Sequence, residues 1–211
     1  MNHVYFGGTF DPPHLGHDKM LRVLLEDSWV AKVHLVPTAS NPLKNSTGDA
    51  APLGSLAHRK AWVEGWVVEL QKQLPQSAFE KLNVEWLEFN GPKISYTIDT
   101  LSQLRSAEQR NGDTRPWVLC VGSDVLPLLH KWKQVRELLS TLHSVWVFSR
   151  GQTVELEKVL SKELLDLAEF RVMEPVIDPI SSTQIRQSLR KSSERGESPS
   201  AELPVVKGWK F

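Results

Sequence analysis

Apolar runs of strand length recur along this chain, each separated from the next by a segment of helical period. No other feature constrains the fold so strongly. Residues 4–7, 33–36, 84–89, 117–122, 145–148 and 170–173 read as strands, the first ending at glycines and the second closed by Pro37. Between the first two, Met20, Leu21, Leu24 and Leu25 repeat at helical spacing with Asp18, Lys19, Arg22 and Glu26 among them, so a helix is expected from His17. Further helices are expected over 55–74, stopped by Pro75, over 97–109 with Ile98, Leu101 and Leu104 on one face, and over about 124–142, 154–168 and 182–191. Alternating units of this size predict an α/β fold with a doubly wound parallel sheet. One domain over 1–191, with a small C-terminal helical part, and a tail over 192–211 complete the expected layout.

Composition narrows the class. Lys plus Arg (25) balances Asp plus Glu (25), which argues against a chain built to hold nucleic acid or an acidic membrane surface. A single cysteine, Cys120, excludes an internal disulfide and a cysteine-rich zinc site, and its apolar neighbours make it a small core residue. Neither a secretory leader nor a run of eighteen apolar residues is read, so a cytoplasmic protein is expected. Its oligomeric state stays open, a homo-oligomer included.

Two stretches carry chemistry. GGTFDPPHLGH, residues 7–17, follows the first strand directly. Gly7 and Gly8 allow a tight exit and a close backbone approach to a ligand, together with Thr9 and Phe10. Pro12 and Pro13 stiffen the turn, and a helix start offers unpaired N–H groups and a positive dipole to an anion. His14 and His17 lie one turn apart, so both imidazoles can address that anion. A histidine pair of this kind also suits a metal, with Asp11 or Asp18 as the only nearby third ligand. Far along the chain, ISSTQIR, residues 180–186, places hydroxyls before another helix, with Arg186 a turn in to add a forked donor.

Together these stretches resemble the nucleotidyltransferase superfamily whose signatures are (H/T)xGH and ISSTxxR. ISYTIDTL at 94–101, VGSDVL at 121–126 with Trp132, and the segment 143–151 are similar to bacterial nicotinate-nucleotide adenylyltransferases. The resemblance spans roughly 3–190. It implies a Rossmann-like nucleotidyltransferase fold and transfer of an adenylyl group from ATP to nicotinate mononucleotide, with Mg²⁺ accompanying the nucleotide. It implies His14, His17 and Arg186 as the catalytic groups. The ATP site would comprise Gly7, Gly8, Thr9, Phe10, His14, His17, Lys44, Gly122, Asp124, Ser182, Thr183 and Arg186. The mononucleotide would meet Tyr96, Thr97, Asp124 and Trp132, the last stacking on the pyridine ring. No protein metal ligand is implied. Where the family's loop after the second strand has a Pro-Pro-His-Lys flavour, this chain has Asn41, Pro42, Leu43 and Lys44. The polar loop that follows, to Gly54, reads as a lid that orders with substrate. A preference for the amide mononucleotide, another superfamily activity such as that of a pantetheine-phosphate or cytidylyltransferase relative, and a catalytically silent nucleotide sensor remain as rival readings.

Overall fold

The structure, a computed structural model, describes residues 1–40, 54–91, 95–151, 154–177 and 185–187. Its frame is a six-stranded sheet: β1 (Asn2–Gly8), β2 (Val30–Pro37), β3 (Leu82–Val84), β4 (Trp117–Gly122), β5 (Ser144–Arg150) and β6 (Glu169–Ile177). Every neighbouring pair is parallel, in the order β3-β2-β1-β4-β5-β6. Parallel strands need crossovers, and the main helices supply them: α1 (Leu15–Glu26), α2 (Leu56–Gln73), α3 (Thr97–Arg110) and α4 (Val135–Ser140).

Strand alternation divides the core in two. Val4 and Phe6 of β1 face a cluster with Leu21, Leu24 and Leu25 of α1 and Val63, Trp66 and Leu70 of α2. Tyr5 faces the other side, where Leu101 and Leu104 of α3 meet Leu138 and Leu139 of α4. Both faces are thus covered, which is why β4 and most of the other strands read as continuous apolar runs. Cys120 lies within the first cluster, and burial pushes its thiol far up. Among the described residues no helix is long and apolar enough to cross a membrane.

Several elements depart from the sequence expectation. Within 84–89 the strand stops at Val84, and Leu87–Asn90 forms one helical turn, with the Trp86 carbonyl accepting from the Phe89 and Asn90 N–H groups. The stretch 124–142 is a 3₁₀ helix, Ser123–Lys131, followed by α4. Pro127 lacks an N–H to donate, and the chain breaks between the two pieces at Gln134, which takes a left-handed conformation. Residues 154–168 form two single turns, Leu156–Val159 and Lys162–Leu165, separated by an extended Leu160. Of the expected last helix only residues 185–187 are described, and these are helical. Lys44, Ser182 and Thr183, most of the loop after Thr38, and the tail lie outside the described residues.

Candidate active site

β1 and β4 lie side by side at the centre, and their helices go to opposite faces. In an open α/β sheet a crevice opens beyond the carboxyl ends of two such strands. Here those ends are Gly8 and Gly122, each two residues past the paired Phe6 and Cys120.

The glycines serve packing as much as access. Gly7 and Gly8 still belong to the β1 ladder, opposite Val36 and Pro37. A Cβ on Gly8 would lie 2.9 Å from the Phe10 ring, and one on Gly7 2.7 Å from Tyr5. The turn itself is made at Phe10, whose φ of 44° lies in the left-handed region that a bulky residue seldom enters. Its fully buried ring sits edge-on to Phe6 and His17 and beside Trp66, contacts that hold the backbone there. Phe10 therefore gives the site backbone only. The Asp11–Pro12 peptide that follows is cis.

His14 then caps α1. The His17 N–H donates to His14 Nδ1 (3.4 Å) and the His14 N–H donates to His17 Nδ1 (3.3 Å), a reciprocal capping box built from imidazoles. The rings stack with centroids 3.7 Å apart, and both are buried. Since each Nδ1 accepts an amide, each neutral ring carries its proton on Nε2, and both histidines act as donors there. One helix N–H that the sequence reading offered to an anion is spent on the cap.

Arg186 reaches this turn from the far end of the sequence. Its Nη1 donates to the Asp11 carbonyl (3.0 Å) and lies 3.7 Å from Asp11 Oδ2. Asp11 Oδ1 accepts from the Gly54 N–H, so this carboxylate organises three segments at once. Asp18, the other acid considered beside the histidines, accepts from Trp66 Nε1 (2.8 Å) and Arg22 Nε (2.7 Å), tying α1 to α2.

Across the crevice, Tyr96 is the N-cap residue of α3 and Thr97 opens the helix. The Lys133 ammonium stands 4.7 Å above the Tyr96 ring and 2.9 Å from Asp99 Oδ2. Trp132 closes the 3₁₀ helix and packs, partly buried, against the second core cluster. Asp124 is exposed in the first turn after Gly122.

Two residues escaped the sequence reading. Arg59, in the first turn of α2, donates to the carbonyls of Thr9 (3.1 Å), Thr38 (2.7 Å) and Ala39 (2.6 Å), clamping the exits of β1 and β2. Burial lowers its basicity somewhat, and Asp11 opposes the shift. Glu88 is buried and accepts from Tyr5 Oη, Ser95 Oγ and Thr100 Oγ1, fixing the chain just before Tyr96 and Thr97. Glu88 carried no local signal, because all its partners are distant or polar residues of ordinary appearance. The run 55–60 hinted at a helix start, but not at what its arginine holds.

The cytidylyltransferase-like family profile matches residues 5–188. A probable nicotinate-nucleotide adenylyltransferase from Leptospira interrogans is 29% identical over 89% of this chain and 84% of its own length. One from Chloroherpeton thalassium is 31% identical over 90% and 85%. Among solved structures, the Plasmodium falciparum nicotinic acid mononucleotide adenylyltransferase complexed with NaAD superposes with a TM-score of 0.67 at 16% identity, covering 89% of this chain and 83% of that one. That likeness is one of fold, and it agrees with the strand order seen here. The chain belongs to the cytidylyltransferase-like family, and within it to the nicotinate-nucleotide adenylyltransferases.

Proposed function

We propose that this protein joins ATP to nicotinate mononucleotide, giving nicotinate adenine dinucleotide and pyrophosphate. A phosphate oxygen of the mononucleotide attacks the α-phosphorus of ATP; the bond from that phosphorus to the bridging oxygen breaks and pyrophosphate leaves. The observation that carries this reading is the stacked pair His14 and His17, locked as Nε2 donors at the head of α1 beside the end of β1. Phosphoryl transfer of this type needs positioning and charge neutralisation more than covalent help. The attacking phosphate is already ionised, so no strong base is required.

In this reading the two imidazoles donate to the α-phosphoryl oxygens, and Arg186 adds a fixed cation from the opposite side. The backbone of Gly7, Gly8, Thr9 and Phe10 and the turn at Gly122 and Asp124 border the nucleotide, with Lys44, Ser182 and Thr183 completing the phosphate site. Asp11, the buried acid nearest the histidines, is already held by Gly54 and Arg186. Such surroundings suit Mg²⁺ carried mainly by nucleotide oxygens and water, the ion's usual habit. Bound in this way it would neutralise phosphate charge. Tyr96, Thr97 and Trp132 would frame the pyridine ring. The cytoplasm is the compartment this reading assigns, since ATP is a substrate.

The test is steady-state turnover with ATP and Mg²⁺, offering nicotinate mononucleotide, nicotinamide mononucleotide and phosphopantetheine separately and following pyrophosphate. Preference for the first is expected. Preference for the second would keep the chemistry and overturn the ring pocket. ATP binding without turnover on any of them would make the protein a nucleotide sensor.

A further inference from the structure

A second polar cluster, between the start of β1 and the middle of β2, is buried among core residues. His3 of β1 and His34 of β2 are both fully buried, and their rings stack against Trp117 of β4. Their inner nitrogens, His3 Nδ1 and His34 Nε2, face each other at 3.0 Å. Each outer nitrogen meets a carboxylate: Asp113 Oδ2 lies 3.0 Å from His3 Nε2, and Glu85 Oε1 lies 2.8 Å from His34 Nδ1. Glu108, near the end of α3, brings a third carboxylate 3.9 Å from His34 Nε2.

The outer carboxylates decide the tautomers. Glu85, hydrogen-bonded to His34 Nδ1, and the Asp113 charge beside His3 Nε2 each favour a proton on the nitrogen they face, and in those tautomers the neutral rings turn lone pairs toward one another across the 3.0 Å gap. Facing lone pairs repel unless an electrophile lies between them. A histidine that donates one nitrogen to a carboxylate while offering the other is the usual arrangement around a bound transition metal. The charge points the same way. Glu85, Glu108 and Asp113 outnumber Lys32 and Arg115, the cations paired with Glu108 and Asp113.

We propose that His3, His34 and Glu108 bind one divalent ion of the zinc class, with Asp113 and Glu85 orienting the imidazoles. The donor atoms lie within 4.8 Å of one another, a ligand set of two imidazoles and a carboxylate that suits zinc with water in the fourth place. With metal–nitrogen bonds of about 2.0–2.1 Å, nitrogens 3.0 Å apart subtend roughly 95° at the ion, and opening the pair by about 0.35 Å reaches the tetrahedral angle. Lys32 Nζ, 2.8 Å from Glu108 Oε1, competes for that oxygen and must swing aside; it is partly exposed and free to turn outward. The ion would join β1, β2 and α3 on the face of the sheet that carries Trp117, through residues that the transferase reading does not use.

The test uses untagged, chelator-stripped full-length protein without nucleotide, titrated with Zn²⁺ by calorimetry, with Co²⁺ absorption as a spectroscopic check. One equivalent per chain is expected, together with ligand-field bands for Co²⁺ and a higher Tm with Zn²⁺. Glu85→Gln should weaken binding about 10–100-fold, the range for losing an orienting carboxylate. Glu108→Gln should weaken it further, and Lys32→Met, which removes the competitor, should tighten it. These three variants leave both histidines in place, and circular dichroism checks their fold. If stripped wild-type protein takes up no Zn²⁺, the histidines share a proton instead and the proposal fails. It also fails if the equivalent survives Glu108→Gln but is lost in His17→Ala, which would put the ion at the phosphate site.

Discussion

The two ring nitrogens of His17 have separate tasks. Nδ1 holds the capping box, while Nε2 carries the proton assigned to the phosphoryl oxygens. Removing the ring should therefore cost a cap, worth about 1 kcal/mol, and one transition-state donor. For His17→Ala we expect kcat to fall roughly 10²–10³-fold, as for loss of an oxyanion donor. The accompanying fall in Tm should be a few degrees; collapse of the fold would instead make the histidine structural. Tyr5, on β1, offers a pH readout. Burial first, then the Glu88 charge, raise its phenol well above the ordinary value. A folded-state value raised above the unfolded one contributes stability that is whole below the unfolded value, about pH 10, and is lost as pH rises further. Wild type and Tyr5→Phe should thus show equal tyrosinate absorbance until alkaline unfolding, when the wild type alone gains the extra increment. An extra increment in the wild type before unfolding would show Tyr5 to be accessible.

Among the elements, α2 earns its place through one side chain. Arg59 binds three carbonyls at the exits of β1 and β2, and acceptors that lose a charged donor of this kind are left unpaired. Arg59→Met should cost about 3 kcal/mol in urea unfolding and raise KM for ATP, since Thr9 loses its anchor. Stability lost with KM unchanged would confine Arg59 to the fold. The 3₁₀ helix ends on Trp132, only partly buried, so Trp132→Ala should raise KM for the mononucleotide and leave that for ATP nearly unchanged. Equal losses would return Trp132 to the core. The same elements show where periodicity stops being informative. β4 and α3 were legible because a six-residue apolar run and a one-sided helix face each have one good solution. The stretch 84–89 was not, since its apolar residues fit a strand or a turn equally well. What decides is Glu88, which must turn inward to meet Tyr5 and Thr100.

At the scale of the molecule, the doubly wound parallel sheet follows from the alternation of elements, and the head of α1 from one short motif. The clamps do not, because they join residues far apart: Tyr5 to Glu88, Arg59 to Thr9, His3 to His34. Arg186 spans the greatest separation, 175 residues from its Asp11 partner, and it makes the turn after β1, the proposed phosphate site, depend on both ends of the sequence. This dependence can be measured. Buried Arg186 donates to a backbone carbonyl, a charge-assisted bond worth about 1.5–3 kcal/mol, so Arg186→Met should lower the ligand-free Tm by several degrees. ATP at about 100 times its Kd should stabilise the wild type by about 2.7 kcal/mol, or roughly 5–10 °C in Tm for a chain of this size. If Arg186 also grips phosphate, the same ATP concentration should give Arg186→Met a clearly smaller rise, because its Kd is weaker. Adenosine, which has no phosphates, should shift both proteins alike. An ATP-induced rise as large in the variant as in the wild type would assign Arg186 to the turn alone and leave His14 and His17 to hold the phosphates.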